Sequence, residues 1–359
     1  MNRILYRLAL VVISCCFFIQ SVNAETDFTI VTSRYKKIPG QQRSIKPVGI
    51  SKQRSTNEDF LSVHGSIPAL QISKSKSAFQ GLLSSRSAVV MDSQSGDVLY
   101  AYNPDLPGQP ASTIKILTGL IALDALKKTE EVPVSKIAAD MPRSKADLQA
   151  GETYTAAELI CAVLLASAND ASVALAEKIA GNERIFAMFM NYKAKEMGAT
   201  DTVCKTATGL TANGQQSTVR DLAVLFNKAM QHAQFAEIMS RSLVTTSSGT
   251  QFENHNKALQ NVYGAAGGKT GFTRAAKQTY VGKFCRDDDE LIVALMGSEK
   301  MWDDLHYLVT YGFSLKKKMD ARLALLHLDI KNNHDTFAVI TLNEKLTLRS
   351  GFYSDSGAL

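Results

Sequence analysis

Apolar positions along this chain fall into strand-like, then helical, then again strand-like patterns. "SAVVMD" (87–92) and "VLYAYN" (98–103) are two strand runs joined by the turn-rich "SQSGD", a hairpin pattern. Helical spacing follows, with an apolar helix from about Ser112 to Lys127 and then a loop region, "EVPVSKIAADMPRSKADLQAGETY". "TAAELICAVLLA" predicts a second helix with Thr155 and Glu158 at capping-box spacing, and "DASVALAEKIAG" a third closed by Gly181. "NERIFAMFMNYKAKEMG" and "TVRDLAVLFNKAMQH" read as a fourth and a fifth. Strands return in "AAGGKTGFT", "KQTYVGKFC" and "ELIVALMGS", the last two joined by "RDDD", and "MWDDLHYLVTYGFSL" is again helical. This order predicts an α/β (α+β) fold: an antiparallel sheet formed from both ends of the domain, flanked by helices, with an all-helical subdomain inserted.

The flanks differ in pattern. Residues 1–24 place Arg3 and Arg7 before "LALVVISCCFFI" and end in "SVNA", the layout of a cleaved secretory signal peptide; an uncleaved membrane anchor is the alternative. Residues 25–77 are rich in Ser, Lys, Arg and Gln with little periodicity, and read as a basic, flexible leader or a tether. The ordered domain is expected over 78–315. The tail, 316–359, carries "TFAVITL" and "KLTLRSGF" as short strand runs; it is too short for an independent domain and reads as a remnant of a β-rich one.

With 45% hydrophobic and 21% charged residues, the 359-residue chain has the balance of a soluble globular protein. The signal takes two arginines and no acids with it, so the formal charge falls from +6 to +4. That excess is too diffuse for nucleic acid, and it suits anionic polymers or a lipid surface only weakly. Cys161, Cys204 and Cys285 are far apart and odd in number, so neither a disulfide framework nor a metal site is expected; Cys161, in an apolar helical run, and Cys285, in a strand-like one, read as buried small hydrophobes. No HExxH or similar pair occurs among the six histidines, and no metal or cofactor is called for.

One polar residue contradicts its surroundings. Lys115 lies near the start of an otherwise apolar helix, three residues after Ser112, so the two share a face. A buried ammonium is costly unless paired or neutralised. Desolvation, or a second cation nearby, lowers the amine pKa until the neutral form can take the serine proton, which makes a nucleophile and its base. The same residues also fit an N-cap serine with a snorkelling lysine, and SxxK recurs without such context at Ser33, Ser73 and Ser314. Two further polar stretches follow in order. "SANDA" places Ser167 and Asn169 between two apolar helices, either as a turn capped by Asp170 or as a cleft wall that relays protons and binds an amide carbonyl. "KTG" places Lys269, Thr270 and Gly271 on a glycine-rich strand, either as a polar edge or as a carboxylate-binding pair beside a glycine that admits substrate close to the backbone.

SxxK, a Ser/Asn element and KTG, in that order, resemble the set of the penicillin-binding proteins and class A β-lactamases. The resemblance is strongest to the low-molecular-mass D-alanyl-D-alanine carboxypeptidases, over roughly Ala78 to Leu315, through "ASTIK", "LLASANDAS", "TGLTANGQQSTVRDLAVL", "ENHNKAL" and "GGKTGFT". It implies a β-lactamase/transpeptidase-like fold and an acyl-enzyme on Ser112 with Lys115 as base. It further implies Ser167 and Asn169 on the facing wall, Lys269 and Thr270 at the substrate carboxylate, and an oxyanion hole from the backbone N–H groups of Ser112 and Phe272. Lys115 is then expected to be largely neutral in the resting enzyme. The implied partners are peptidoglycan stem peptides, with β-lactams as covalent inhibitors. The implied location is the periplasm, peripheral to the inner membrane.

Two departures stand out. His255 occupies the place in "NHN" where well-known members carry an arginine that holds the terminal carboxylate, and a histidine is only partly charged at neutral pH. Recognition is then expected to rest on Lys269 and Thr270, or to recruit Arg274. The expected tail also lacks the full β-rich domain and amphipathic anchor of typical members. The leading function is removal of the terminal D-alanine from pentapeptides. A DD-endopeptidase cutting cross-links is the alternative, a penicillin sensor without catalysis is weaker, and a β-lactamase lacks the ExxLN glutamate that class A deacylation needs.

Overall fold

Strand β1 (Ser87–Asp92) is buried at every position, because it lies inside a sheet covered on both faces. It pairs antiparallel with β2 (Val98–Tyr102). The chain then makes its helical block, interrupted by two small ribbons: β3 (Glu131–Pro133) with β4 (Thr153–Thr155), and β5 (Leu243–Thr245) with β6 (Gln251–Glu253). β7 (Ala265–Thr273), β8 (Lys277–Arg286) and β9 (Asp289–Ser298) complete a five-stranded antiparallel sheet of order β2-β1-β9-β8-β7. Val90 of β1 stands opposite Val293 of β9, so the sheet does join both ends of the fold, with the helices inserted between them.

Period-two alternation sends the side chains of each strand into two cores. Val89 and Met91, with Ile292, Ala294 and Met296, face the helical block. Ala88 and Val90, with Leu291, Val293 and Leu295, face the closing helix Met301–Asn332 through its Leu305, Leu308 and Val309. In this computed structural model the described residues are 81–332, with side chains described through residue 321. The expected signal peptide, the leader and the strand runs of the tail lie outside them. The closing helix is longer than the expected 301–315, because "KKK" and the residues after it continue the helix past Leu315.

Inside the helical block, Thr155 and Glu158 form the expected capping box at the head of the helix Ala156–Leu164. Gly181 caps the helix Asn169–Ala180 in the left-handed conformation, φ 78°. The helix Lys115–Ala125 is buried continuously from Lys115 to Ala122, against the helices Ala156–Leu164 and Asn169–Ala180. It differs from the expectation at its start: Ser112 belongs to a 3₁₀ turn, Ala111–Ile114, that feeds the α-helix. Thr113 Oγ1 tightens this turn by donating to the Pro110 carbonyl at 2.6 Å. Cys204 is buried, whereas Cys161 and Cys285 are only partly so; all three are free thiols. Among the described residues, no helix is long and apolar enough to cross a membrane.

Candidate active site

Three segments converge on the turn that carries Ser112. Ala111 has φ 50°, a conformation that a residue with a Cβ adopts only under constraint. The constraint is visible: the Pro110 carbonyl accepts from Thr113 Oγ1 and, at 2.9 Å, from Thr279 Oγ1 of β8. A Cβ on Gly209 would stand 2.0 Å from the Ala111 oxygen, and one on Gly271 would stand 2.8 Å from the Ser112 nitrogen. The absent Cβ of Gly271 also admits the backbone of the Ser112 turn, a close approach its residue type alone did not announce.

Lys115 is fully buried, and its Nζ lies 2.9 Å from Ser112 Oγ, 2.7 Å from Asn169 Oδ1 and 2.7 Å from the Thr208 carbonyl oxygen. None of these partners carries a charge. Burial, then repulsion from Lys269, drives the amine well below its ordinary value, against a weaker opposing pull from Asp170 and Glu183. Deprotonating an ordinary lysine at pH 7 costs roughly 5 kcal/mol. Desolvation works against the charged form and so offsets that cost, and in the neutral form the Ser112 hydroxyl donates to Nζ.

Ser167 and Asn169 stand on the facing wall. Ser167 has φ 59° and is nearly buried at the break between two helices, held where its hydroxyl lines the same cleft as Ser112. Asn169 is committed within the protein: Oδ1 accepts from Lys115, while Nδ2 donates to the carbonyls of Pro142 and Arg143 at 2.9 and 3.0 Å. Asp170 also acts on this loop, accepting from the backbone N–H groups of Ala146 and Leu148.

Lys269 is buried, among the described residues has only the Thr270 carbonyl within reach, at 3.4 Å, and desolvation pushes its pKa down to about 7. Thr270 follows it, half-buried, on β7. The cleft wall beyond is Gly271, Phe272 and Thr273, with the Phe272 ring 64% exposed. His255 reaches the same cleft, its N–H bonded to the Leu165 carbonyl. Desolvation and then Lys269 lower its pKa from 6.5, outweighing Glu253, so at neutral pH it is mostly uncharged despite its open side. Arg274 is exposed in the turn after β7 and does not line the cleft.

The cleft, about 680 Å³ of open space, also takes in Arg143, Ser144, Gly209 and Leu210, none of which the sequence reading placed there. Thr208 and Gly209 lie in the quoted "TGLTANG" string, but the Thr208 contribution is a main-chain oxygen with no residue-type signature. Arg143 and Ser144 come from the loop held by Asn169 and Asp170, and nothing in their own sequence sets them apart.

Opposite demands on the two lysines set a pH dependence. Lys115 acts as a base only when neutral, so acylation rises as pH climbs through its lowered pKa. Lys269 attracts a carboxylate only when charged, so that attraction is lost as pH rises through about 7. The kcat/KM for a peptide ending in a carboxylate is expected to fall above about pH 7, while that for the corresponding amide keeps rising. Parallel profiles for the two substrates would remove Lys269 from carboxylate binding.

Comparison with known proteins shows the family. The family described as Peptidase_S11, D-alanyl-D-alanine carboxypeptidase, matches residues 73–300. The chain is 37% identical to D-alanyl-D-alanine carboxypeptidase DacB2 of Mycobacterium tuberculosis over 63% of its own length and 81% of that protein's. It is 33% identical to DacF of Bacillus subtilis over 59% of its length and 57% of that relative's. It thus spans little more than half of the Bacillus protein. Penicillin-binding protein D2 of Listeria monocytogenes, solved with cefotaxime bound, superposes with a TM-score of 0.59 at 30% identity, over 64% of this chain and 98% of that one.

Proposed function

This chain belongs to the D-alanyl-D-alanine carboxypeptidase family of serine peptidases, and we propose that it removes the terminal D-alanine from peptidoglycan stem pentapeptides through an acyl-enzyme on Ser112. The observation that carries the reading is Lys115 Nζ, buried among uncharged acceptors and 2.9 Å from Ser112 Oγ.

The neutral Lys115 amine takes the hydroxyl proton as Ser112 Oγ attacks the carbonyl carbon of the D-Ala–D-Ala bond. The oxyanion lies between the N–H groups of Ser112 and Phe272, a reading supported by the close approach of β7 to the Ser112 turn at Gly271. When the C–N bond breaks, the departing amine takes a proton passed from Lys115 by way of Ser167. Water then attacks the ester, giving its proton to Lys115, which passes it to Ser112 Oγ as that oxygen leaves, so the hydroxyl and the neutral amine are restored. Lys269 and Thr270 hold the carboxylate of the leaving D-alanine, and the mostly neutral His255 lines the pocket without supplying the charge. β-Lactams enter by the same attack and stay as a slow ester. Export to the periplasm, with peripheral attachment to the inner membrane, is the setting we propose for this chemistry.

Labelling with a fluorescent penicillin followed by peptide mapping is expected to place the adduct on Ser112 alone, and Ser112→Ala to abolish it. Label on any other residue overturns the assignment. Defined pentapeptide is expected to release D-alanine; cleavage of cross-linked muropeptides without it would make the enzyme an endopeptidase instead.

A further inference from the structure

The neutral Lys115 amine has two hydrogens and one lone pair. Asn169 Oδ1 and the Thr208 carbonyl oxygen, each 2.7 Å from Nζ, take the two hydrogens, which leaves the lone pair for Ser112 Oγ at 2.9 Å. Whatever fixes those two acceptors therefore aims the base. The Asn169 amide is fixed by the carbonyls of Pro142 and Arg143. The Thr208 carbonyl belongs to the segment 204–209, which lies outside any helix or strand and is held instead by side chains.

Most of those anchors are uncharged. Asn191 accepts from the Cys204 N–H and donates to its carbonyl, Gln215 Oε1 accepts from the N–H groups of Lys205 and Thr206, and Thr118 Oγ1 donates to the Ala207 carbonyl. Among the described residues the one charged anchor is Glu183, whose Oε1 accepts at 2.8 Å from the N–H of Ala207, the residue before Thr208. A charged acceptor makes a bond roughly twice as strong as a neutral one. Glu183 also stands on a fixed support. It opens the helix Glu183–Glu196, which Asn182 caps through the Ile185 N–H and which Phe186 and Met190 seat in the core.

We propose that Glu183 is a positioning residue for catalysis: by holding the Ala207 N–H it fixes the Thr208 carbonyl, and so turns the lone pair of Lys115 onto Ser112. The same segment grips the nucleophile, since Gly209 packs against the Ala111 oxygen. Thr118, three residues after Lys115, meets the carbonyl next to the one that Lys115 uses, so the catalytic helix is tied to the segment at two successive residues. Glu183 does not line the cleft and acts only through this main-chain link. The inference rests on the reading of Lys115 as the base that activates Ser112.

The test compares Glu183→Asp with Glu183→Gln in the full chain. Aspartate keeps the charge but is shorter by one methylene, about 1.5 Å, and loses Ala207; glutamine keeps the reach and an acceptor. Glu183→Asp is expected to lower the acylation rate constant for a chromogenic penicillin roughly 10- to 100-fold, since misplacement by about 1 Å costs up to that much. Noncovalent binding of the penicillin and the melting temperature are expected to stay near those of the parent, and Glu183→Gln to recover most of the rate. An aspartate variant that acylates at the parent rate overturns the proposal. A glutamine variant as slow as the aspartate one does so too, because the effect would then lie in the charge. If the aspartate variant loses active sites on melting earlier while each remaining site reacts at the parent rate, Glu183 is a structural residue only. Lys115→Met, run beside them, separates the two readings: normal acylation there sinks the base assignment itself, whereas slow acylation there with a normal aspartate variant sinks only the role of Glu183.

Discussion

Lys115→Met is expected to slow acylation of Ser112 by about 100- to 10,000-fold, the range over which a positioned general base acts. Methionine fills nearly the same volume within the buried stretch Lys115–Ala122, so packing is kept while the amine is removed; Asn169 Oδ1 and the Thr208 oxygen lose a donor at a cost of about 1–3 kcal/mol each, which a thermal melt run beside the kinetics registers. The loss should fall on the acylation rate constant, measured by stopped-flow trapping of a chromogenic penicillin, with noncovalent binding of that penicillin little changed. An acylation rate within a few-fold of the parent would return Lys115 to the role of a buried structural lysine. Raising the pH should not rescue the variant, because its amine is absent rather than protonated.

Gly271→Ala is expected to lower kcat by about 100-fold, through geometry rather than chemistry. Its Cβ would stand 2.5 Å from Thr279 Oγ1 and 2.8 Å from the Ser112 nitrogen. Either β7 or the turn at Ser112 must retreat, and displacement of this order at a reacting centre costs about two orders of magnitude. Thr279 Oγ1 also braces the Pro110 carbonyl, so the push reaches the positive-φ residue Ala111 from two sides. The experiment pairs kcat with a thermal melt: an unchanged melting temperature with unchanged kcat would show that the strand yields without moving Ser112.

The parts of this fold that were legible in the sequence were those whose burial repeats with a period. β1 and β9 alternate between two cores, and Thr155 with Glu158 announces its helix by residue type. The pair Ser112 and Lys115 was legible because a lysine in an apolar helix contradicts its neighbours. What was not legible depends on contacts distant in sequence. The 3₁₀ turn at Ser112 is set by Thr279 and Gly209 pressing on Pro110 and Ala111, and no local pattern records that. The ribbons β3–β4 and β5–β6 are three residues per strand, too short for alternation to show. The hydrogen bonds of Asn169 to Lys115 and to the loop at Arg143 were not legible either, since residue type alone does not say where an amide points.

The pairing of β1 with β9 has a consequence for how the chain reaches its native state. Ser87 finds Met296 across the sheet, and between them lies the whole helical block. Until Asp289–Ser298 has been synthesised, the inner edge of β1 is unpaired and the core under the closing helix lacks Leu291, Val293 and Leu295. Loop closure over so long a span is entropically expensive, and topologies of this kind fold slowly. The sheet therefore acts as a completion check: a nascent or truncated chain ending before β9 would carry Ser112 and Lys115 yet lack the strand that locks them into one rigid body.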